Sequence, residues 1–258
     1  MANPKLLITA GCSFTQVPLK RSHEYDGLNW PIPLQDYLQC EAINLGQGAA
    51  GNDVISRRAI LYLQQSLKKY KPNEILLAIM WSGHDRYSFY KENNNLETTK
   101  IDYGPACWNL SNPCKINIEA ETKRNYITNL VWTDELSKLF YKNLYDYTGS
   151  IILTMEHILR IQWFCQAHNI NYVFSKYCYD TFPDVNSLSK ESQMEVRHLY
   201  DMVDWDKWLP MTDAYSWAKH KSSYPMLEQL GNHLSTEQNK EMVDKFFIPH
   251  LKRLGYID

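Results

Sequence analysis

The most constraining stretch of the chain is Glu74 to Met80, where one glutamate is followed by an unbroken apolar run that continues into Trp81. A run this short cannot be a membrane span, which takes about 18 to 20 apolar residues. A half-exposed strand would alternate apolar and polar residues, so this one is expected to be buried on both faces, as in a parallel sheet covered by helices. Lys5 to Ala10, Ala42 to Leu45 and Asn171 to Ser175 read as shorter strands of the same kind. Between and after them lie helical patterns: Pro31 to Leu38, with proline suited to a first turn, and Asn52, as a cap, to about Tyr70. Further helices are expected at Asp134 to about Tyr147, Ile151 to about Ala167, near Ser187 to Asp204, and Thr236 to Leu254. Strands alternating with helices predict a three-layer α/β/α (flavodoxin-like) domain over residues 1–258, with a parallel sheet of about five strands. Sites in such folds form beyond the carboxyl ends of the strands. Residues 87–132 are polar, aromatic and weakly periodic and read as an insertion or lid after the third strand. Trp205 to Leu230 reads as a second irregular aromatic stretch.

Composition narrows the function classes. The net charge of −2 lacks the basic excess that nucleic acid or an anionic membrane would require, so neither is an expected partner. The apolar start, Leu6 to Ala10, is shorter than the roughly 7 to 15 residues of a signal sequence, so synthesis in the cytoplasm is expected. The six cysteines form no CxxC pair and are expected as free thiols in a reducing compartment. Cys107 and Cys114 share one segment, which leaves a local disulfide or metal pair open. The histidines show no metal-ligand spacing, so no metal is expected, and no cofactor is implied.

Two residues stand where chemistry could be done. Ser13, in Gly11-Cys12-Ser13-Phe14-Thr15, follows the first strand and so sits at the carboxyl end of the sheet. His233, in Gly231-Asn232-His233-Leu234-Ser235, precedes the last helix. Taken singly, Ser13 also fits a turn residue and His233 a surface or capping residue; a serine nucleophile needs a base within hydrogen-bond reach. Gly46-x-Gly48-x-x-Gly51 matches the spelling of a dinucleotide-binding turn. It follows the second strand rather than the first, and no acidic residue ends the next strand, so that reading is set below the serine–histidine one.

Taken together, these blocks resemble the SGNH/GDSL hydrolases, which carry Gly-x-Ser after the first strand, Gly after the second, Gly-x-Asn after the third and His before the last helix. Gly11-Cys12-Ser13, Asn44-Leu45-Gly46 with the turn to Asn52, Trp81-Ser82-Gly83-His84-Asp85-Arg86 and Gly231 to Ser235 match that order over nearly the whole chain. Gly-Cys-Ser-Phe-Thr, with Trp30-Pro31 downstream, is similar to divergent members associated with bacteriophage genomes. The resemblance implies a serine esterase with Ser13 as nucleophile and His233 as base, acting on a small ester or acylated glycan, O-acetyl groups first. Its oxyanion hole would combine the Ser13 N–H, the turn at Ala49 and Gly51, and His84 in the place of the family's asparagine. The acid that usually precedes the histidine by two or three residues is replaced by Leu230 and Gly231, with Glu228 the nearest substitute. The missing acid and His84 favour a second reading, a non-catalytic glycan-binding or virion structural module with homo-oligomer contacts. The retained Ser13 and His233 favour the enzyme.

Overall fold

A computed structural model describes residues 3–16, 29–48, 50–91, 106–108, 125–128, 135–226 and 233–258. In chain order the elements are β1 (Leu6–Gly11), α1 (Pro31–Leu38), β2 (Glu41–Asn44), α2 (Asn52–Ser66) and β3 (Ile75–Trp81). Three short strands follow, β4 (Ser88–Lys91), β5 (Ala106–Trp108) and β6 (Asn125–Thr128), then α3 (Glu135–Asn143), α4 (Tyr147–His168) and β7 (Asn171–Lys176). The chain continues with α5 (Lys190–Met202), α6 (Ala214–His220), α7 (Thr236–Met242) and α8 (Ile248–Arg253), the last two joined by one π-type turn, Val243–Phe247.

The main sheet runs β5-β2-β1-β3-β7. β2, β1, β3 and β7 are parallel, with Leu6 opposite both Glu41 and Ile75 and Leu76 opposite Asn171. The α/β sandwich expected from the sequence is therefore present with four parallel strands; the fifth, β5, lies antiparallel on the β2 edge, with Ala42 opposite Trp108. That edge strand comes from inside the 87–132 segment and covers backbone groups that β2 would otherwise expose. β4 and β6 pair antiparallel with each other as a separate ribbon. Most of the remainder of that segment, Cys114 included, lies outside the described residues.

Alternation along β3 divides the core. Ile75, Leu77, Ile79 and Trp81 pack with Leu6, Ile8 and Ala10 against α2, α4 and α5. Leu76, Ala78 and Met80 pack with Leu7 and Val173 against α1, α6, α7 and α8. All seven β3 side chains are buried, as its unbroken apolar run required, and burying each large one is worth about 1.5–3 kcal/mol.

Two local expectations change. Residues 205–230 include the short helix α6, whose Ala214, Trp217 and Ala218 line one buried stripe while Asp213 accepts the Ser216 N–H at 2.7 Å. Asn52 is the first residue of α2 rather than its cap, and Gly51 takes the cap position. Among the described residues no helix is long and apolar enough to cross a membrane.

One buried histidine makes stability depend on pH. His250 in α8 is 3% exposed. Burial, then the charges of Arg253 and Lys207, push its pKa from 6.5 down to about 4, against a smaller opposing effect of Asp206. The folded protein thus keeps His250 neutral where the unfolded chain protonates it. Stability should be independent of this group above about pH 7 and fall as pH drops from 6.5 toward 4, by about 1–3 kcal/mol. Urea unfolding between pH 7.5 and 4.5 should show that slope, and His250→Leu should flatten it. His157, depressed in the same way by burial and by Arg160 and Arg57, leaves a residual slope.

Candidate active site

The Ser13 turn is built by backbone and sterics. Thr15 and Gln16 both donate their N–H to the Cys12 carbonyl, at 2.9 and 3.1 Å, so the chain folds back directly after β1 and holds Ser13 at the sheet's carboxyl edge. Gly11 is required there, because a Cβ would lie 2.2 Å from Thr15 Oγ1 and 2.7 Å from the Met80 carbonyl. Asn44, at the end of β2, donates its amide to the Thr15 carbonyl (2.8 Å) and to Thr9 Oγ1 (2.9 Å) and accepts the Gly46 N–H at 3.0 Å. Gly46 rests on the turn, where a Cβ would come within 2.5 Å of backbone atoms of Thr15 and Gln16. Asn29 donates to the Ser13 carbonyl at 3.0 Å.

His233 is set by α7. Ser235 caps that helix and Gln238 returns a bond to the Ser235 N–H, a reciprocal capping box that fixes where the preceding residues enter. Asn239, 1% exposed, donates to the Leu234 and Ser235 carbonyls at 3.2 and 2.9 Å. Its own carbonyl oxygen accepts the Trp30 N–H at 3.0 Å, and the Trp30 indole donates to Thr15 Oγ1 at 3.2 Å. One buried amide therefore ties the segment carrying His233 to the turn carrying Ser13.

The result is a direct contact. His233 Nε2 lies 2.8 Å from Ser13 Oγ, and the imidazole stacks on Phe14 with ring centroids 4.6 Å apart and planes 30° apart. With hydrogen on Nδ1, Nε2 accepts the Ser13 hydroxyl hydrogen. The Ser13 backbone N–H donates to no group of the protein among the described residues.

The other expected residues are placed as follows. Gly51 packs on the third block, with the Arg86 carbonyl 2.6 Å from where its Cβ would be. Asn52 beside it exchanges two bonds with the Ser82 backbone, at 2.8 and 3.1 Å. His84 is buried with Nδ1 2.8 Å from Ser150 Oγ and its ring edge-on to Tyr147 at 5.0 Å, so that nitrogen faces the start of α4. Ala49 and Glu228 lie outside the described residues. Sequence reasoning passed over Asn239, Asn29, Tyr177 and the side chain of Arg86. Arg86 Nη2 donates to the Tyr177 hydroxyl at 2.9 Å, and Tyr177 packs on Phe14 with centroids 4.9 Å apart. Cys12, Cys40, Cys165 and Cys178 are in the thiol form, outside any disulfide. Among the described residues no three His, Cys, Asp or Glu side chains cluster so as to hold a metal ion.

Fold and site define a three-layer α/β/α protein with a serine–histidine pair at the carboxyl edge of its parallel sheet. The chain belongs to DUF6071, a family of unknown function, whose model matches residues 18–213. No curated protein matches the chain.

The amide tie has a measurable consequence. Asn239→Ala would leave the Trp30 N–H and the Leu234 carbonyl without the amide, while the Ser235 carbonyl keeps the residue-239 backbone N–H, and each buried group left unpaired costs about 1–3 kcal/mol. The urea midpoint should fall by an amount equivalent to about 2–4 kcal/mol. The exposed substitution Lys252→Ala, on the neighbouring α8, serves as the control and should change stability by less than about 0.5 kcal/mol.

Proposed function

We propose that this protein is a serine ester hydrolase of SGNH type, acting through a Ser13–His233 dyad on acylated carbohydrate, with O-acetyl groups as the first substrate class. The observation that carries the reading is the 2.8 Å contact between His233 Nε2 and Ser13 Oγ, made at the carboxyl end of β1. The substrate class rests on the family resemblance.

In the first half-reaction the Ser13 hydroxyl proton passes to His233 Nε2 as Oγ bonds to the ester carbonyl carbon. The carbonyl π pair moves onto its oxygen, giving a tetrahedral oxyanion. When the oxyanion collapses, the bond to the leaving alcohol breaks and His233 returns the proton to that alcohol. The acyl group stays on Ser13. Water then gives a proton to His233 and attacks the acyl carbon, and collapse releases the acid while Ser13 Oγ regains the proton. The N–H of Ser13, which donates to no group of the protein among the described residues, is the backbone donor assigned to the oxyanion in this reading. An acidic residue only orients and stabilises the imidazole, and here the Phe14 stack and the Asn239 bonds contribute to its orientation.

The test is hydrolysis of p-nitrophenyl acetate by the wild type, Ser13→Ala and His233→Ala, together with fluorophosphonate labelling followed by peptide mapping. The expected result is labelling at Ser13 and a loss of at least about a hundredfold in turnover for each variant. Equal background rates in all three proteins and no label on Ser13 would overturn the proposal and leave a glycan-binding or virion module, which glycan-array binding would then address. Labelling without turnover would mean that the short ester does not fit, and acetylated sugars would be the next substrates.

A further inference from the structure

The third block offers two side chains, and they face opposite layers. His84 turns toward Ser150 and Tyr147 on α4, on the layer packed by Ile79 and Trp81. Arg86 turns toward Tyr177, which packs with Cys12 and Phe14 on the other layer, the one whose Phe14 stacks on His233. The Arg86 guanidinium lies over the Tyr177 ring, 4.8 Å from its centroid, in addition to donating Nη2 to the hydroxyl. Tyr177 packs on Phe14 and Phe14 stacks on His233, so an unbroken series of contacts runs from Arg86 to the dyad.

The charge of Arg86 is unusual in its company. Burial works against it, but the surrounding groups, Cys12 foremost and then Tyr177, Asp85 and Cys178, keep the guanidinium more basic than an ordinary arginine. Among the described residues no carboxylate is ion-paired with it, and Nη1 is buried with no hydrogen-bond partner. The guanidinium is partly withdrawn from water, and a charge held that way without a paired anion costs free energy; a polar atom left unsatisfied in a native fold calls for a reason, and a role in chemistry is one. A positive charge fixed in a low-dielectric setting favours a negative charge that forms within its field during acyl transfer and needs no reorganisation to do so.

We infer that Arg86, rather than His84, is the third-block side chain that serves the Ser13 site, as a fixed positive charge stabilising the anion formed when Ser13 attacks. This rests on the hydrolase reading of the dyad. Tyr177 holds the charge in place, and the charge acts through space on the oxyanion while the Ser13 N–H donates to it directly.

Phenylboronic acid gives a probe of that anion which does not depend on turnover. Ser13 Oγ bonds to boron as its proton passes to His233, leaving a negatively charged tetrahedral boronate. The experiment compares boronate affinity and the second-order rate of fluorophosphonate labelling for the wild type, Arg86→Gln and Arg86→Lys, with a thermal melt of each. Expected are losses of about tenfold or more in both readouts for Arg86→Gln and of less than about threefold for Arg86→Lys, which keeps the charge. A folded Arg86→Gln protein within about twofold of wild type in both readouts would overturn the inference. If Arg86→Gln shows no cooperative melt, Arg86→Lys decides: retained boronate affinity supports the fixed charge, and a loss of about tenfold in a folded Lys variant overturns it. A wild type that neither labels nor binds boronate would sink the hydrolase reading, and this inference with it.

Discussion

The contact between Ser13 and His233 joins side chains 220 residues apart, and everything at the carboxyl edge of the sheet depends on holding it. The sheet alone cannot do so, because both residues lie beyond regular strands. Buried asparagine amides do it instead. Asn44 fastens the Ser13 turn to β2, Asn52 fastens the start of α2 to the third block, and Asn239 fastens α7 to Trp30 and through it to Thr15. Each amide offers both donors and an acceptor, so one side chain can bridge two segments whose backbone groups would otherwise be buried without partners. A network of this kind in a low-dielectric setting is rigid when complete and costly when one member is lost. The same bridging accounts for the position of Asn52: its amide is committed to Ser82, so capping α2 falls to Gly51.

The parts of this arrangement that were legible in the sequence share one property, namely that the signal is local. β3 could be read because two-sided burial demands an unbroken apolar run, and α1 because proline marks its first turn. Ser13 and His233 could be singled out because the order of short motifs around strand ends is itself a linear pattern. The helix α6 was hidden because it is only seven residues long and aromatic residues recur within it and on both sides of it, so three buried positions did not stand out as a period. The antiparallel β5 was hidden for a different reason. Three residues within a long polar segment become a strand only by pairing with the β2 edge, which is a tertiary event. Asn239, Asn29 and Tyr177 belong to the same class, since each has a partner well separated from it in the chain and nothing in their local sequence distinguishes them from surface residues.

The aromatic packing beside the dyad also bears on its chemistry. Phe14 follows Ser13 directly and stacks on His233, so one residue of the turn both extends the apolar wall and limits how the imidazole can tilt. Tyr177 extends that wall from the end of β7, and its hydroxyl, made less acidic by burial, stays protonated and accepts from Arg86. Its N–H bonds the Trp81 carbonyl and its carbonyl accepts the Tyr215 N–H, which links β3, β7 and α6 at the same edge. The wall is thus built from residues whose backbones are already fixed by the sheet, and precision at the dyad follows from rigid elements rather than from the loops alone.

The glycines of the second block show how similar spellings arise from different needs. In a dinucleotide-binding turn the glycines let backbone approach a pyrophosphate and let a helix pack closely on a strand. Here Gly46 is excluded from carrying a side chain by the backbone of Thr15 and Gln16, and Gly51 by the Arg86 carbonyl. The first contact joins the ends of the neighbouring strands β2 and β1, the second joins the start of α2 to the segment after β3, and neither needs a nucleotide. Gly46 approaches the Ser13 turn and Gly51 approaches the third block, and glycine is the residue that allows both approaches. The spacing Gly46-x-Gly48-x-x-Gly51 therefore reflects crowding at the sheet's carboxyl edge, where Gly46 meets the turn that carries Ser13 and Gly51 meets the third block.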